Sequence, residues 1–143
     1  AAGGAGGGSC TSLALSGPQI TKTTHAGPAP TMTGGLIVDG TYLLTAMDKY
    51  NNTSGANTHR ETWVFSAGTF AVIGEDSSSN PTIQRVSGTY TTTYPSGNTF
   101  TLTITCPNSG TQVSQYTVTG NNIQVLSEPT SSDQEIHTLT KQQ

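Results

Sequence analysis

The chain has 143 residues, enough for one domain with a core, and a formal net charge of −3. Its five basic residues, Lys22, Lys49, Arg60, Arg85 and Lys141, are scattered, which excludes a patch able to neutralise a row of phosphates and with it nucleic acid as a partner. Charged residues make up only 9% while Thr occurs 27 times and Ser 15 times, so hydroxyls supply the wet surface, an extracellular balance, and no apolar stretch approaches the roughly 18 residues of a membrane span.

The chain opens without an initiator Met or a charged-then-apolar leader, as expected of a secreted protein whose signal segment has been removed or, in the other reading, of a cloned fragment. Ala1 to Ser9 reads as a flexible Ala/Gly tether, lacking any side chain to anchor it. Thr11 to Thr33 carries Pro18, Pro28 and Pro30 and one short apolar alternation, Leu13 and Leu15, which makes residues 1–33 an extended arm and not a helix. A β domain over 34–143 follows. Strands are expected at about 36–47, 59–66, 69–74, 82–94, 98–106, 111–119, 122–127 and 135–141. The clearest is Phe100 to Cys106, where Phe100, Leu102, Ile104 and Cys106 share one face and three threonines the other.

Turn chemistry separates these runs: Ala67-Gly68, Ser96-Gly97-Asn98, Asn108-Ser109-Gly110 and Gly120-Asn121-Asn122 hold residues that tolerate positive φ. Asn51 to Asn57 and Glu75 to Pro81 are expected to be longer polar loops. About eight hairpin-linked strands predict an all-β, antiparallel up-and-down meander barrel, because closure removes both edges; a two-sheet β-sandwich is the runner-up. The expected core is Leu36, Val38, Tyr42, Leu44, Trp63, Phe65, Phe70, Val72, Phe100, Leu102, Ile104, Tyr116, Val118, Ile123 and Val125.

Chemistry-bearing patterns are few. Cys10 and Cys106 form an even pair, expected to be a disulfide within or between chains; the other reading is two unrelated thiols. Asp133, Glu135 and His137 alternate along the last strand, the spacing of a weak O/O/N metal site or of a solvated outer face. Asp76-Ser77-Ser78-Ser79-Asn80 opens like a calcium loop but has Pro81 and Ser87 where Gly and Glu are required, so it reads as a polar loop. His59-Arg60-Glu61 reads as a strand start able to pair charges at a barrel mouth, and His25 has no evident partner. Asn51-Asn52-Thr53-Ser54 contains glycosylation-type triplets. No nucleophile elbow, phosphate loop, CxxC or cofactor motif occurs, so no catalytic residue is assigned and an enzyme is not expected.

Gly40-Thr-Tyr-Leu-Leu-Thr, Thr62-Trp-Val-Phe-Ser-Ala-Gly-Thr-Phe, Gly88-Thr-Tyr-Thr-Thr, Gly97-Asn-Thr-Phe-Thr-Leu-Thr and Tyr116-Thr-Val-Thr-Gly-Asn-Asn-Ile resemble the small bacterial lipocalin-like domains over residues 36 to 141. The resemblance implies a secreted or lipid-anchored calycin-type barrel with an apolar cavity, and carries over no binding residue.

Two functions of different class follow. In the first, the chain is a non-enzymatic extracellular structural subunit whose partners are copies of itself, assembling into a filament or surface fibre through the arm residues Ser9, Cys10, Leu13 and Leu15, which add to a neighbour's sheet edge. Its low charge suits self-association. In the second it is a secreted lipocalin-like binder of a small apolar ligand, with Tyr42, Trp63, Phe65 and Tyr90 as cavity residues.

Overall fold

The computed structural model describes residues 10–51, 58–76, 82–127 and 134–143. The expectations for the 1–9 tether, for the loops and their calcium-like and glycosylation-type motifs over 52–57 and 77–81, and for Asp133 lie outside the described residues.

Among the described residues, ten strands form one sheet: β1 (Ile20–Thr21), β2 (Thr23–His25), β3 (Gly40–Tyr50), β4 (Thr58–Ser66), β5 (Thr69–Asp76), β6 (Thr82–Thr92), β7 (Thr99–Cys106), β8 (Gly110–Thr119), β9 (Asn122–Ser127) and β10 (Gln134–Lys141). β3 to β10 pair antiparallel in chain order, and β10 pairs back onto β3, which also pairs with β4. The result is a closed eight-stranded up-and-down barrel, as the alternating runs predict; the sandwich is not adopted. Closure pairs the backbone groups that an open edge would leave exposed. The Ala67-Gly68 hairpin has both residues at positive φ (49° and 81°), the geometry that matches strand twist.

Two register shifts shape the wall. One, between Thr138 and Leu139, leaves Thr45 unpaired on β3, so that Leu44 opposite Leu139 and Met47 opposite His137 both reach the interior despite their odd spacing. The other lies between Ser87 and Gly88; a Cβ at residue 88 would overlap the Thr103 carbonyl, so only glycine lets β6 and β7 approach there.

The core is concentrated at the end where β3 begins and β4 finishes. Tyr42, Phe65, Phe70, Phe100 and Tyr116 are buried there, and rings touch edge-on or tilted at centroid distances of 5.1–6.2 Å among Tyr42, Phe65, Tyr90, Phe100 and Tyr116. Burying each such side chain stabilises by about 1.5–3 kcal/mol. Leu36 and Val38, expected in the core, are instead exposed at 64% and 53%; the chain reaches the barrel end as an irregular segment, and Ile37 between them turns inward to cap the core. Strand β3 accordingly starts at Gly40, not at 36, and runs on to Tyr50.

The arm is structured from Cys10 onward. Cys10 is bonded to Cys106 of the same chain, with Cα atoms 5.6 Å apart. Ser16 shares hydrogen bonds with Thr62, which is buried on the outer face of β4. β3 and β4 pair directly only over Gly40–Leu43 and Thr62–Phe65; beyond that they separate, and β1 adds antiparallel to β4 while β2 adds parallel to β3. The arm thus fills the seam of its own barrel. It then runs across the outside, where Met32 packs with Leu126 and Ile136 in a second small core. Gly34 finally hydrogen-bonds across β8 through Tyr116 O and Val118 N.

Candidate functional site

Alternation along each strand aims every second residue inward, and in an eight-stranded barrel these fill the interior or leave room for one small ligand. Here they leave a cavity of about 590 Å³. Phe70, Phe100 and Leu139 form its floor above the ring cluster. Trp63, Val72, Val86, Leu102, Ile104 and Val125 make apolar walls, interrupted by the buried hydroxyl-bearing Ser114. Toward the opposite end the lining turns polar: Glu61 on β4, Gln84 on β6, Gln112 on β8, Ser127 on β9, and Glu135 and His137 on β10. Gly74, paired with Glu61, carries no side chain to occupy the space that the carboxylate uses; a Cβ there would lie 3.3 Å from Glu61 Cγ.

The polar end is a charge network. His137 Nε2 lies 2.7 Å from Glu135 Oε1. Lys22 Nζ reaches the other oxygen of the same carboxylate at 3.0 Å, with a side chain only 8% exposed. Trp63 Nε1 donates to Glu61 Oε1 at 2.9 Å. Glu61 Oε2 stands 3.9 Å from His137 Nδ1, an ion-pair distance too long for a hydrogen bond. His59 flanks the group, its ring centroid 6.2 Å from that of His137 and its Nδ1 3.8 Å from Asp76.

These contacts set the protonation states. The His137 hydrogen bond, opposed by burial and reinforced by Lys22, holds the Glu135 carboxyl down at about 2. Burial pulls the His137 pKa down, but the Glu135 hydrogen bond and the negative charges of Glu61 and Glu135 outweigh it and raise the imidazole above its ordinary value. The phenols of Tyr42 and Tyr90 are raised chiefly by burial and stay neutral; Tyr42 donates to Val38 O at 2.6 Å.

Of the four residues expected to line a cavity, Trp63 does so; Tyr42, Phe65 and Tyr90 pack in the ring cluster beneath it. Glu135 and His137 share the inward face of β10, as their spacing predicts, and are joined there by Glu61 and Lys22. Among the described residues no cluster of three or more His, Cys, Asp or Glu is arranged to hold a metal ion. His25 does have partners: its Nε2 meets Asp48 at 2.9 Å and its ring stacks on Tyr50, on the outside of the barrel. Leu13 and Leu15 are half-buried within the chain, with Ala14 exposed between them and Ser12 and Ser16 exposed on either side; Ser9 lies outside the described residues. The role of Lys22 had no signal in the sequence, because nothing local ties a lone lysine in a Thr-rich arm to a strand far along the chain.

Comparison with protein families, with curated proteins and with solved structures finds no match to this chain.

Proposed function

We propose that the protein is an extracellular, lipocalin-like binding protein, not an enzyme, that carries one small amphipathic molecule inside its barrel. The observation that carries this reading is the cavity of about 590 Å³, with an aromatic floor, aliphatic walls and a polar end. That lies within the roughly 300–1,000 Å³ of small-molecule sites, which are mostly apolar with a few convergent polar groups. The Cys10–Cys106 bond supports an oxidising, extracellular setting. The polar end turns the expectation of a purely apolar ligand into one with a polar group at one end.

The reading as a self-assembling structural subunit needs an arm free to leave its own barrel. Against it stands the arm's attachment within one chain: β1 and β2 occupy the seam, Lys22 pairs with Glu135, and Cys10 is bonded to Cys106. Light scattering on the full chain and titration with N-phenyl-1-naphthylamine, followed through Trp63, test the choice. A monomer with saturable one-to-one binding is expected, weakened at least about ten-fold by Ser114→Leu, which places a bulkier side chain in the cavity. Large concentration-dependent species with no saturable binding would overturn the proposal in favour of assembly.

A further inference from the structure

Resting on the carrier reading, the geometry points to the chemical class of the ligand: we infer a neutral molecule whose apolar body ends in a hydroxyl, held between His137 Nδ1 and Glu61 Oε2.

Three features of the polar end carry this. The first is the gap. Glu61 Oε2 receives no hydrogen bond from the described residues, and His137 Nδ1 faces it across 3.9 Å. One oxygen seated about 2.8 Å from each atom spans that distance. The second is the donor and acceptor pattern. Nε2 of His137 is committed as donor to Glu135, so in the charged ring Nδ1 is also a donor, while Glu61 is an acceptor only. A group that accepts from one and donates to the other completes both, and a hydroxyl does so with a single atom. The third is charge balance. In the contacts around the gap two cations, Lys22 and charged His137, face two carboxylates, Glu135 and Glu61, so a ligand with net charge meets attraction and repulsion together and still loses its hydration. The aliphatic walls and aromatic floor below receive the body.

The same geometry makes ligand class depend on pH. The charged and titratable groups facing His137 are Glu61 and His59 from β4, Glu135 from β10, Lys22 from the arm, and Lys49, the cross-strand neighbour of Glu135 on β3; β9 places Val125 opposite it. When His137 loses its proton, Nδ1 becomes an acceptor like Glu61, and the site loses one positive charge. The site then favours a cationic donor over a hydroxyl. The raised pKa of His137 places the hydroxyl-binding state on the acid and near-neutral side.

The test uses the full oxidised chain and four probes of one length: decan-1-ol, decyl methyl ether, decylammonium and decanoate. Binding is read by Trp63 fluorescence, this being the single tryptophan, and by calorimetry. At pH 6 the alcohol is expected to bind at least about ten-fold more tightly than the ether, which accepts from His137 but offers Glu61 nothing, and than either ion. At pH 9 decylammonium is expected to overtake the alcohol, and His137→Gln to abolish that reversal. Affinities within about three-fold of one another at both pH values overturn the inference while leaving the carrier reading intact. Absence of binding by all four overturns both.

Discussion

Replacing both cysteines tests how much of the fold's stability comes from anchoring the arm. The Cys10–Cys106 bond joins residues 96 positions apart and encloses the arm and β1 to β7, leaving β8 to β10 outside the loop. In the chain-entropy model a closed loop of this size restricts the unfolded chain by about 4.7 kcal/mol at 25 °C. Native contacts of the arm survive the substitution, since Ser16 still bonds Thr62 and Ile20 still packs on the barrel core. The effect therefore falls mainly on the unfolded state. Cys10→Ser with Cys106→Ser is expected to lower the unfolding free energy by about 3–5 kcal/mol. For a domain of this size the melting temperature falls by roughly 10–15 °C. Equilibrium urea unfolding followed by Trp63 fluorescence measures it, and the urea dependence should steepen as the unfolded chain expands. A loss below about 1 kcal/mol with an unchanged urea dependence would refute the reasoning, because the unfolded chain would then already hold the arm near β7.

The Glu135 and His137 pair should give the fold a defined pH window. Glu135 contributes stability above its unfolded value of about 4.5 that is lost as pH falls toward 2, and His137 contributes stability below 6.5 that is lost as pH rises through its higher folded value, so urea midpoints should be greatest between these limits. A Glu135→Gln, His137→Gln variant with the wild-type pH profile would count against this. Lys22→Met keeps the buried stem but leaves Glu135 with one cationic partner in place of two; a loss of about 1–3 kcal/mol in urea unfolding is expected, and no change beyond about 0.5 kcal/mol would mean that the seam is held without this pair. Gly88→Ala drives a methyl into the Thr103 carbonyl and to 3.0 Å from Ile104 Cα, so it should cost about 2–4 kcal/mol and raise amide exchange along β6 and β7; wild-type exchange there would show that the bulge can relax.

The strands and their closure were legible in the chain because both follow from local chemistry. Alternation of period two in Phe100 to Cys106 and its neighbours, with Gly and Asn between runs, specifies strands, faces and hairpins, and eight such strands close to remove their edges. The bounds of β4 to β10 fall within two residues of those read from the pattern. What alternation does not encode is which inward side chains meet. Tyr42, Phe65 and Tyr90 have the same inward signature as Trp63, yet position along the barrel puts them in the ring cluster and Trp63 on the cavity wall. Leu36 and Val38 continue the alternation of β3 in sequence, but the chain there has not entered the barrel, and only Ile37 is buried. The polar end depends on tertiary structure most of all: Glu61, Glu135 and His137 meet because closure brings β4 and β10 to the same end of one interior, and Lys22 joins them because the arm enters the seam where β3 and β4 part. Local propensity acts over a few residues, whereas a charge network inside a barrel is set by shear, closure and the path of a distant segment, none of which any short stretch of this sequence contains.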